Sequence, residues 1–176
     1  MGRRIGVLAV GLLVLLLWAG VVAAAPPDDD ATCDISVTVA EIMEWESDFS
    51  AISLANITSQ ATTVSDTSTM TLYTNGDVDI TADRSTNAEL IGPDSDTLVT
   101  EYGLAYDGNG VAATGGSTVS FTTYDAFLSS ASSVTHVPGD GAVEVTLSVR
   151  ASNAAGTLAN AGLYTATQTL TASWAS

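Results

Sequence analysis

The segment Val143-Glu144-Val145-Thr146-Leu147-Ser148-Val149-Arg150 carries an aliphatic side chain at every odd position and a polar one at every even position. Side chains of an extended chain point alternately to opposite faces, so this period of two predicts a β-strand with one buried and one solvated face. Pro138-Gly139-Asp140-Gly141, just before it, supplies a turn. After a polar interval from Asn153 to Gly162, the run Tyr164, Ala166, Leu170, Ala172 and Trp174 alternates with Thr165, Thr167, Thr169, Thr171 and Ser173. That pattern predicts the opposing wall of the same core, with Gln168 on its inner face and in need of a partner.

Working outward, the same period recurs along the chain. Ile35, Val37 and Val39 alternate with Ser36 and Thr38, giving a first strand with an apolar and a hydroxyl face. Phe49 and Ile52 belong to another apolar run, Met70 and Leu72 to a third, Val78 and Ile80 to a fourth. Leu98, Tyr102, Leu104 and Tyr106 mark a strand on even positions that stops at Asp107-Gly108-Asn109-Gly110, and Val119 and Phe121 mark the next. Helical periodicity of useful length is missing. About eight or nine short strands separated by Gly/Asp turns select an all-β, two-sheet sandwich over a closed barrel.

Parity bears on the link between Leu72 and Val78. A two-residue turn at Asn75-Gly76 would set Leu72 opposite Asp79 and scatter the apolar face. A three-residue loop, Thr74-Asn75-Gly76 with Gly76 in the left-handed region, pairs Leu72 with Val78 and Met70 with Ile80, and is the expected arrangement. The surviving alternative is a chain that crosses between the two sheets.

The N-terminus predicts export. Arg3 and Arg4 precede an apolar run from Ile5 to about Val22 and then Ala23-Ala24-Ala25, the charge, grease and small-residue order of a secretory signal. Pro26 disfavours a cut after Ala25, so the signal is expected to occupy residues 1–24. Retention of the run as an uncleaved anchor is the alternative. Residues 25–33 then form an acidic extended leader containing Pro26-Pro27 and Asp28-Asp29-Asp30, and residues 34–176 a single domain large enough to bury a core without staples. The expected localisation is secreted, extracellular or at the cell surface, with no second apolar span after the signal.

Charge narrows the partners. The chain holds 20 acidic residues against 4 basic ones, a formal net charge of −16, and has no lysine. Loss of Arg3 and Arg4 with the signal leaves Arg84 and Arg150 as the only fixed positive charges. Such a surface repels phosphate backbones and anionic lipid, which argues against nucleic-acid and membrane partners. It suits solubility, a salty habitat or divalent cations. Asp77, Asp79 and Asp83 share the outward parity of their strand and are the candidate ligands for Ca²⁺, although no EF-hand spacing is present and aspartate also favours turns.

Catalytic chemistry finds few supports. The chain has one histidine, His136, and one cysteine, Cys33, no Gly-x-Ser-x-Gly elbow, and no lysine for a Schiff base. A pair of carboxylates could still hydrolyse a glycoside. The expectation is a non-enzyme without a cofactor. Cys33, unmatched in an exported chain, is either a free thiol or an intermolecular bridge. Asn56-Ile57-Thr58 forms a glycosylation acceptor.

Asn160-Ala161-Gly162-Leu163-Tyr164-Thr165-Ala166 resembles the tyrosine corner of immunoglobulin-like domains, in which a tyrosine two residues after a glycine bonds back to the preceding arch; this implies a Greek-key sandwich. Together with Ile35 to Val39, Thr69 to Val78 and Gly162 to Thr171, the chain resembles secreted prokaryotic β-sandwich surface proteins: spore-coat, camelysin-like and WxL-type families and extracellular filament subunits. It departs from WxL domains in that neither Trp45 nor Trp174 is followed two residues on by leucine. The resemblance implies a structural role at the cell surface with self-association into a homo-oligomer or filament. Strand donation is the expected mode, with Ile35, Val37 and Val39, in the segment from Cys33 to about Ile42, as the donated residues. A secreted binding module for carbohydrate or calcium is the alternative.

Overall fold

A computed structural model describes residues 31–176. The predicted signal and most of the acidic leader lie outside the described residues. The chain divides into two units, Met1–Thr38 and Val39–Ser176. In the first, the described residues 31–38 form no strand and are exposed.

The second unit is all-β. Its strands are β1 Met43–Trp45, β2 Thr63–Thr74, β3 Val78–Ala82, β4 Val99–Tyr106, β5 Gly115–Gly116, β6 Val119–Thr123, β7 Ser132–Thr135, β8 Ala142–Ser152 and β9 Leu170–Trp174. They form two antiparallel sheets, one ordered β1-β2-β8-β4-β6 and the other β5-β7-β3-β9. One apolar core joins them: Leu72, Leu104, Val143, Val145 and Leu147 come from the first sheet, Val78, Ile80 and Val134 from the second.

The deciding strand behaves as its period requires. β8 lies between β2 and β4, and Val143, Val145, Leu147, Val149 and Ala151 are all buried. β4 buries Tyr102 and Leu104, with Leu98 buried just before it. Phe127 and Leu128, from the loop after β6, complete the core.

Four expectations need correction. First, β2 and β3 do not form a hairpin, because β2 pairs with β1 and β8 whereas β3 pairs with β7 and β9. The chain crosses between sheets, and Gly76 does not have positive φ. Thr74 makes the crossing: its side-chain hydroxyl donates to Gly76 O at 2.7 Å, and its backbone N–H donates to Gly141 O at 2.9 Å. Leu72 and Val78 are both fully buried, facing one core from opposite sheets. Second, Ile35 to Val39 is not a strand of this fold. Third, Phe49 and Ile52 are half-buried against the core without joining a ladder. Fourth, only Leu170–Trp174 of the C-terminal wall is a strand, and it is less buried than a wall should be. Leu170 and Ala172 are half-buried, Trp174 is 37% exposed, and Ala166 is exposed. The cause is position, since β9 is the edge of the smaller sheet and has β3 on one side only.

Candidate functional site

Exposed apolar surface is concentrated in the segment singled out for strand donation. Ile35, Val37 and Val39 are 90%, 88% and 71% exposed. Isolated exposed aliphatics are ordinary, but three at alternate positions of one short run make an unspent apolar face. The chain just downstream is held firmly. The Asn75 side chain donates to Ala40 O and accepts from Ile42 N, both at 2.8 Å, while Asn75 N donates to Ile42 O at 3.1 Å. One asparagine at the β2–β3 crossing thus reads both sides of the Ala40–Ile42 backbone and leads the chain into β1.

β9 offers the complementary feature, an unpaired sheet edge. Ala175 N donates to Asp77 O at 3.0 Å and Asp83 N to Thr169 O at 2.9 Å, so the odd residues bond toward β3. In an antiparallel ladder both backbone groups of a residue point the same way, so those of Leu170, Ala172 and Trp174 point to the open side. Their side chains belong to the inner face. Just upstream, the Gln168 side-chain amide has both polar atoms buried and neither hydrogen-bonded. The partner it was expected to need is not supplied by its own domain.

No family model matches this chain, and no curated protein is significantly similar to it.

The segment leading to β9 is fastened by the tyrosine that resembles a corner. The Tyr164 hydroxyl lies 2.9 Å from Asn160 O and 3.2 Å from Asp96 Oδ2, sharing its single proton between them. Asp96 also accepts from Asn160 N at 2.5 Å, and this donation holds its carboxyl below the usual carboxylate range. The Tyr164 ring lies directly over Gly92, where an added Cβ would sit 2.6 Å from it. Burial raises the Tyr102 hydroxyl, which donates to Ala88 O, to about 12 and likewise Tyr106, which donates to Ser132 Oγ, so both remain neutral donors.

The three candidate calcium ligands are not gathered into a site. His136 N donates to Asp77 Oδ1, Ser133 Oγ donates to Asp79 Oδ1, and Ser85 donates to Asp83 through both its backbone N–H and its hydroxyl. The Ser85 contacts hold the Asp83 carboxyl below its ordinary range. Among the described residues no three His, Cys, Asp or Glu side chains come together as metal ligands. Cys33 is a free, exposed thiol. Sequence reasoning placed Gln168 correctly on an inner face, but the free edge beside it carries no local signal, because strand order is set by pairings far apart in sequence.

Proposed function

We propose that this chain is an extracellular structural protein of the cell surface whose copies associate by β-strand donation, with the segment from Cys33 to about Ile42 as the donated strand. The observation that carries this reading is the near-complete exposure of Ile35, Val37 and Val39, alternate residues of one strand-like run that has no place in either sheet. Burying one such side chain stabilises by roughly 1.5–3 kcal/mol, so an apolar face of three is a substantial drive toward a partner groove. The hydroxyl face of Ser36 and Thr38 would turn to solvent. Export by the N-terminal segment and the large acidic excess belong to the same reading: a secreted subunit that avoids nucleic acid and anionic membrane. For the fold itself we favour the immunoglobulin-like Greek-key version of the sandwich, supported by the bond from Tyr164 back to Asn160.

Sedimentation of the secreted chain tests the proposal. The unaltered protein is expected to form concentration-dependent oligomers, seen as filaments by negative stain of the native surface, and Val37→Asp to shift them to monomer without loss of folding. A chain that stays monomeric at high concentration, or a Val37→Asp variant that associates undiminished, contradicts it.

A further inference from the structure

We infer that the acceptor for the donated strand is the outer edge of β9, Leu170–Trp174, in a second copy of this chain, with the Gln168 amide as its polar anchor. This inference rests on the strand-donation reading and names the surface that the reading leaves open.

Free sheet edges are usually blunted by charge, proline or a covering segment, because unpaired N–H and C=O groups template another strand. Neither charge nor proline guards β9, and among the described residues no strand pairs with its outer edge, although β1 lies near it across the core. The β9 sequence is Leu-Thr-Ala-Ser-Trp, and no charged residue or proline occurs anywhere from Ala151 to Ser176, although the chain holds 20 acidic residues. The run Ile35 to Ala40 is likewise uncharged, lying between Asp34 and Glu41. Where almost every other surface of two copies would repel, these two segments meet without charge on either side.

Geometry adds to this. The outward backbone groups of β9 belong to Leu170, Ala172 and Trp174, whose side chains face inward and are incompletely covered. Val78 and Ile80 on β3, with a strand on each side, are fully buried. One added strand would give β9 the same cover. Ile35 to Val39 has the same five-residue span as β9, and its apolar period of two would turn Ile35, Val37 and Val39 toward the half-covered core while its backbone extends the sheet. Gln168, two residues before β9, has a buried unbonded carbonyl and a buried unbonded NH₂, which could accept from and donate to a backbone brought against this edge.

Other edges fit less well. β5 is two glycines and offers no side chains. On the uncovered flank of β2 the inward positions include Asp66 and Ser68, a polar face. The residues that follow β6 send Phe127 and Leu128 into the core on that side.

Residue-resolved hydrogen exchange on the full chain, at low concentration and after association, decides the matter. In the monomer the amides of Thr171 and Ser173, bonded to β3, exchange slowly, whereas those of Leu170, Ala172 and Trp174 exchange freely. Association is expected to slow these three at least tenfold, erasing the alternation, and the Gln168 side-chain amide protons with them. Ala172→Pro, which removes an outward N–H and no bond to β3, is expected to abolish that protection and to keep the unfolding midpoint near that of the parent. If association occurs but protection appears at another edge, this inference is overturned while strand donation stands. If association proceeds in Ala172→Pro with β9 amides still exchanging freely, it is overturned as well. Absence of any association overturns both.

Discussion

At the residue scale, the corner around Tyr164 is where a small change should have a measurable local effect. Tyr164→Phe keeps the ring against Gly92 and removes the hydroxyl that bonds Asn160 O and Asp96, so it should move the urea-unfolding midpoint to lower denaturant. A shift near zero would mean that water replaces the bond. Asp96 predicts a pH effect of fixed sign. Its carboxyl titrates below the ordinary carboxylate value of about 3.9, mainly through the Asn160 N–H, so its contribution is complete above that pH and fades as pH falls through its own lower value. The Asn160 amide resonance should follow that titration in the parent and be flat there in Asp96→Asn. These residues also show what sequence can reveal. Gly162-Leu163-Tyr164 was legible as a corner because the bond spans only four residues. Asp96, its second partner, lies 68 positions away and left no local signal.

Among elements, the difference between a central and an edge strand is the main determinant of energetics. Leu147 on β8 is 5% exposed between two neighbours, and Leu147→Ala should cost about 2–5 kcal/mol. Leu170 on β9 has the same side chain and the same inward parity but is only half-buried, so Leu170→Ala should cost about 2 kcal/mol or less in the monomer. Equal losses in denaturant titrations would contradict an uncovered β9. Period two made both strands legible, since alternation follows from backbone geometry alone. It could not rank their burial, which depends on how many strands flank each one. The β2–β3 link failed for a related reason. A three-residue hairpin and a crossing between facing sheets both require Leu72 and Val78 on one core, so parity excluded the two-residue turn and had no power to separate the other two. Phe49 and Ile52 carry a strand's side-chain pattern without a ladder, which shows that apolar burial can be satisfied where backbone pairing is absent.

For the whole molecule, the acidic excess sets the conditions for assembly. Two copies repel through their carboxylates, and the proposed contact is uncharged, so raising the salt from about 0.1 M, where the screening length is about 10 Å, to about 1 M, where it is about 3 Å, should strengthen association. An interface built on ion pairs would weaken instead, and sedimentation at the two concentrations distinguishes them. The all-β class and the acidic, lysine-free surface followed from composition and period. What could not be read was which strand-like segments would lie outside the sheets, because Ile35 to Val39 has the same period of two as β8 yet joins neither sheet among the described residues. The central claim is that this segment serves another copy and not its own domain. Its most direct test is to delete residues 25–39 from the protein, keeping the Asn75 contacts to Ala40 and Ile42, and to measure unfolding and sedimentation together. The account predicts a folded protein with a near-parental unfolding midpoint that stays monomeric at concentrations where the full chain associates. Loss of folding, or association undiminished by the deletion, would contradict it.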